Sequence, residues 1–150
     1  MFTASNIREI LQYAENHLML QKLGIEVLTS LAMDEGAREK IGSTGGLIKE
    51  LLRLFFREGC ATHQEIELRV EAGEALAMLA LENERNCDRI LKREQVVEML
   101  VSSLIDPVVR ISALRILKNL CAFNGTECVS QLRGVTAAIP TVRSLSPGII

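Results

Sequence analysis

The sequence predicts an all-α protein: a right-handed α-solenoid of about three three-helix repeats, preceded by a partial repeat. Three observations carry this expectation. One register of small and aliphatic residues occurs three times, at residues 24–32, 72–80 and 113–121. Its columns are Gly24/Ala72/Ala113, Leu28/Leu76/Leu117, Leu31/Leu79/Leu120 and Ala32/Ala80/Cys121, at separations of 48 and 41 residues. A motif repeated at such a period marks stacked helical units, none of which can bury its apolar face alone. Hydrophobic residues make up 48% of the 150 residues but aromatics only 3%, with no Trp, so the interior must be built from small and aliphatic side chains. The three prolines stand at 107, 140 and 147, which leaves the first two thirds of the chain free to be helical.

Taken in order, Ser5 is placed to cap a first helix carrying Ile7, Ile10, Leu11, Ala14 and Leu18 at helical spacing. A bend is expected near Asn16 and His17, after which the apolar face passes to Leu20, Leu23, Val27, Leu28 and Leu31. Asp34, Glu35 and Gly36 form a turn signal, residues 37–41 a short segment, and residues 43–46 a second turn. An amphipathic helix then presents Leu47, Ile48, Leu51, Leu52, Leu54 and Phe55 to the core. Residues 59–63 are the least regular connection. From Gln64 the pattern restarts with a short helical turn at 65–68, the central motif to Leu81, a polar turn, a short piece at 87–91 and an inner helix at 96–105. Asp106 and Pro107 suit a cap and a first helical position. A third motif follows to Ala122, then a turn at 123–125, an inner helix over about 137–145 and a stop at 146–148.

This order of short helix, Leu-rich helix, polar turn, short segment, Gly-containing turn and inner helix resembles the armadillo repeat. The stretches 45–55, 95–101 and 138–142 resemble its third helix and the central motifs its second, while residues 106–110 resemble the opening of the related HEAT repeat. The resemblance implies one domain over residues 1–150, with repeats at about 16–59, 64–105 and 106–146 and a partial repeat at 5–15. Neither end carries the polar face of a terminal repeat, so a portion of a longer solenoid or a shortened product is expected, with a self-sufficient domain of unusual caps as the alternative. Overall the chain is similar to the divergent armadillo proteins common in plants.

That resemblance implies a non-catalytic protein–protein interaction scaffold, which holds a partner segment on the concave face lined by third helices. Outward positions there are Lys49, Glu50, Arg53, Glu98, Met99, Ser102, Thr141 and Ser144, with Arg53 the favoured anchor. The alternative is a spacer or regulatory repeat region of a larger membrane-associated or multidomain protein. The Trp and Asn that the best-known peptide-binding members carry on this helix are missing from the first two copies, which argues against recognition of nuclear-import signals. Gln21, Arg69 and Arg110 share a column suited to linking neighbouring repeats.

Other chemistries find little support in the sequence. A formal charge of −2 offers no basic field for nucleic acid. No apolar run approaches the roughly 20 residues of a membrane span. Cys60 and His63 form one close pair, whereas a structural zinc site needs four ligands and a catalytic thiolate needs a positioned base. The carboxylates of Glu65, Glu67, Glu71 and Glu74 beside Arg69 read as a solvated helix face with local ion pairs. Neither a cofactor nor a small-molecule substrate is expected. The partner is a protein, and the four cysteines without CxxC spacing suit a reducing compartment, cytoplasmic or nuclear.

Overall fold

A computed structural model describes residues 2–13 and 16–137, and among these it is wholly helical. The helices are α1 (Phe2–Tyr13), α2 (Leu18–Leu31), α3 (Glu35–Gly42), α4 (Leu47–Phe55), α5 (His63–Ala80), α6 (Glu84–Leu91), α7 (Val96–Ser103), α8 (Arg110–Phe123) and α9 (Gly125–Ala137). A long helix followed by two short ones occurs as α2–α3–α4, of 14, 8 and 9 residues, and again as α5–α6–α7, of 18, 8 and 8. After α8 comes the 13-residue α9, where α2 and α5 are each followed by a helix of 8 residues. Ala14 and the inner helix expected near 137–145, with Thr141 and Ser144, lie outside the described residues.

The helix ends follow local chemistry. Asp34 accepts from the Gly36 N–H and so starts α3 as well as closing the turn after α2. Thr62 and Glu65 form a reciprocal capping box at the start of α5, and the Asn83 side chain takes the Asn86 N–H at the start of α6. Because of that cap, the expected short turn at 65–68 and the central motif are one uninterrupted helix of 18 residues. Pro107 lies in a turn rather than at the first helical position: Asp106 Oδ1 accepts from the Val108 N–H at 2.9 Å, and α8 opens only at Arg110.

Long helices pack side by side, α2 against α5 and α5 against α8, while α4 packs on α1 and α5 and α7 packs on α8 and α9. Leu28 and Leu76 are buried as their shared column predicts, but Leu117 is only half-buried. The apolar face expected of α2 also departs from the prediction. Leu20, Leu23, Val27 and Leu31 are 45, 50, 46 and 38% exposed, and only Leu28 of that set is buried.

Polar side chains join the helices at their ends, where the last carbonyls lack partners within the helix. Gln21 Nε2 donates to Leu11 O at 3.1 Å, Arg69 Nε to Phe55 O at 3.1 Å, and Arg110 Nε and Nη2 to Leu104 O and Ile105 O at 2.7 and 3.2 Å. One column thus serves the ends of α1, α4 and α7 in turn. Two further buried side chains, Arg38 of α3 and Asn86 of α6, serve the long helices. Arg38, almost wholly buried, donates to Ala32 O and to Leu81 O of the next long helix. Asn86 Nδ2 donates to Arg38 O and Leu79 O. Gly42 is required beside it, because a Cβ there would overlap the Asn86 amide.

Candidate functional site: furrows between helix rows

Between α4 and α7 runs an open furrow. Lys49, Leu52, Arg53 and Phe56 line one wall, Arg93, Glu94, Val96 and Met99 the other, around about 250 Å³. Past Phe56 and Met99 it leads into a hollow of about 460 Å³ that adds Glu58, Arg69, Glu98, Ser102 and Asp106. The period of α4 creates this surface: Leu47, Ile48, Leu51, Leu54 and Phe55 turn to the core and leave Lys49 and Arg53 on the open side. Three cations, Lys49, Arg53 and Arg93, therefore stand with one carboxylate, Glu94, at one end of an apolar floor, and three carboxylates, Glu58, Glu98 and Asp106, stand with Arg69 at the other. Arg69 Nη1 lies 3.4 Å from Asp106 Oδ2, so that part of the charge is already paired.

Lys49, Arg53 and Met99 of the expected outward residues meet in the furrow, and Glu98 and Ser102 with Met99 in the hollow. Glu50 departs from the expectation. It is 7% exposed, and its carboxylate accepts from Arg53 Nε at 2.8 Å, because α1 packs across α4 and covers it. Arg53 also donates from Nη2 to Leu11 O at 3.0 Å, so its guanidinium joins α4 to α1 although the residue is exposed.

The row of long helices has a second groove, about 260 Å³, between α5 and α8. Glu74, Ala77, Met78 and Leu81 face Arg115, Lys118 and Asn119. The sequence reads the α5 carboxylates as a solvated face with local ion pairs, whereas Glu67 and Glu74 link α5 to neighbouring helices and Glu65 closes its capping box. Lys22 Nζ reaches Glu67 at 3.1 Å from α2, and Arg115 Nη1 reaches Glu74 at 2.6 Å from α8. The hydrogen bond between Lys22 and Glu67 raises the ammonium's pKa and lowers the carboxyl's. Partial burial, with the Glu26 carboxylate nearby, raises Glu71. A helix-face pattern records which carboxylates are outward but not which cations a neighbouring helix brings to them.

His63 Nε2 lies 2.8 Å from a Glu67 oxygen, and the Cys60 thiol donates to Arg57 O at 3.6 Å. Among the described residues no group of three or more potential ligands is arranged to hold a metal ion, and no helix is long and apolar enough to cross a membrane. No family model, curated protein or solved structure matches the chain.

Proposed function

We propose that this chain is an armadillo-like α-solenoid acting as a non-catalytic protein-interaction scaffold, with the α4–α7 furrow holding an extended partner segment. The observation that carries the reading is the make-up of the furrow: an apolar floor of Leu52, Phe56, Val96 and Met99, open along its length, with Lys49, Arg53 and Arg93 outnumbering Glu94 at one end and Glu58 and Glu98 at the other. Such a surface suits a segment with an apolar anchor flanked by an acidic residue on one side and a basic residue on the other. The side-by-side packing of α2, α5 and α8, with a carbonyl-binding side chain repeated at Gln21, Arg69 and Arg110, supports the stacked-repeat half of the proposal. A second reading places the segment in the α5–α8 groove. It is favoured by the extensive packing along the row of long helices, since the inner row of a curved stack is the closer packed.

Selection of a randomised displayed-peptide library on the chain tests both. Peptides of apolar anchor and mixed flanking charge are expected, with binding lowered about tenfold or more by Met99→Asp and by Lys49→Glu, as truncation or reversal at an interface centre does. Lys118→Glu should leave binding unchanged. Loss confined to Lys118→Glu moves the site to the α5–α8 groove, and failure to select any peptide removes the scaffold reading. Lys49 is preferred to Arg53 for this purpose because Arg53 also supports α1.

A further inference from the structure

We propose that Cys121 and Cys128 are an oxidisable dithiol site, which closes an intramolecular disulfide between the end of α8 and the start of α9 on reaction with a low-molecular-weight disulfide. Their sulfurs lie 2.6 Å apart. The fold sets this distance: α8 ends at Phe123 and α9 begins at Gly125, so a single residue, Asn124, turns the chain and brings the two helices into contact. The two thiols also differ in access. Cys121 is half-buried and can meet a reagent, while Cys128 is wholly buried. Of the other two cysteines, Cys87 is near enough to Cys128 to add to its raised pKa, but both thiols are directed to backbone oxygens. Cys87, also wholly buried, donates to Ala80 O at 3.2 Å and lies 3.8 Å from Asn119 O, and the Cys60 thiol is directed to Arg57 O in the loop before α5.

The reaction has two steps. The Cys121 thiol loses its proton to water, and its thiolate attacks one sulfur of the reagent. The reagent's S–S bond breaks, one small thiolate leaves, and Cys121 carries a mixed disulfide. Cys128 then gives its proton to the departed thiolate and attacks the Cys121 sulfur, which forms the internal S–S bond and expels the second small thiolate, and this takes up the proton that Cys121 gave to water. Two protein thiols are oxidised and one disulfide is reduced to two thiols. Burial pushes the Cys128 thiol up to about 12, with its hydrogen bond to Cys121 adding to the effect, so the first attack falls to the more accessible Cys121. Proximity favours closure over a second mixed disulfide, because the resolving thiol is held at a high effective concentration.

The experiment incubates the full chain with mixtures of oxidised and reduced glutathione, quenches free thiols by alkylation and maps the peptides. Cys121 and Cys128 fall in one tryptic peptide, residues 119–133. The expected product is this peptide lighter by two hydrogens and unalkylated, at a glutathione ratio where Cys60 carries about tenfold less mixed disulfide. Cys128→Ser should trap glutathione on Cys121, and Cys121→Ser should leave Cys128 free. The helical circular dichroism of each variant reports whether it folds, and the mapping of the unaltered chain stands without them. A link from either residue to Cys87 or Cys60, links formed only between chains, or glutathione on Cys121 of the unaltered chain without closure would overturn the proposal.

Discussion

The helices α2 and α5 carry the same register and meet different fates. Leu68, Ala75 and Leu79 of α5 are all at most 2% exposed, yet the residues of α2 in the same columns, Leu20, Val27 and Leu31, are 45, 46 and 38% exposed. The difference lies beside the helices rather than in them. A neighbouring long helix covers α5 on each side, α2 on one and α8 on the other, while α2 has α5 on one side and only the 12-residue α1 as a further large neighbour. A repeated column therefore states which residues can be buried. Whether burial happens depends on the next helix in the row, as expected where stability is a sum of nearest-neighbour terms.

The widest gap between the two helices is expected from one substitution made in both. Ala75→Gln forces a larger side chain into a packed site, at about 1–3 kcal/mol, and strands its amide, at about a further 1–3 kcal/mol. Val27→Gln, in the same column of α2, should stay within about 0.5 kcal/mol of the unaltered chain. Urea unfolding of the pair measures this, and equal losses would mean that α2 is covered in solution. A smaller effect is expected at Gly73. An added Cβ meets Phe55 Cε1 at 2.6 Å and Ser112 Cβ at 2.7 Å, whereas α2 holds the fully buried Ile25 in that column. Gly73→Ala should therefore cost about 1 kcal/mol net, the overpacking exceeding the gain in helix propensity. A rise in melting temperature would show that Phe55 gives way.

An effect no larger is expected at the helix starts. His17 makes no side-chain cap to α2, while Thr62 and Glu65 close a capping box on α5. Thr62→Ala should cost about 1 kcal/mol and His17→Ala almost nothing. The backbone N–H groups of Thr62 and Ala61 hold the Glu65 carboxyl below its ordinary 4.5. The folded state thus binds that proton less readily than the unfolded chain. Its contribution to stability is present above pH 4.5 and lost as the pH falls through the lowered value. Glu65→Gln should remove that part of the acid slope, and a slope identical to the parent's would show that the carboxylate is not engaged.

Part of this was legible in advance. The inward set of α4 is buried as its spacing requires, because that helix is amphipathic enough to have a single packing solution. The column of Gln21, Arg69 and Arg110 was recognisable as a linking position, though not its targets, the carbonyls at the preceding helix ends. Arg38 and Asn86 gave no sign at all. A buried arginine in a short polar segment reads as solvated until two long helices converge and leave their last carbonyls facing it.

By itself, the sequence determined the helical character, the small-residue columns along the long helices and the core face of α4, but not α9, which runs over Gly125–Ala137 where only a turn at 123–125 was expected. The first three follow from spacing along one helix and from the sterics of single residues. Tertiary structure alone decided the burial of Glu50 under α1, the exposure of Leu20, Val27 and Leu31 on α2, the furrow between α4 and α7, and the meeting of Cys121 with Cys128. Each depends on which second helix stands beside the first and at what distance. The physical reason is that periodicity fixes a direction from the helix axis, whereas burial, pairing and reactivity depend on what lies in that direction.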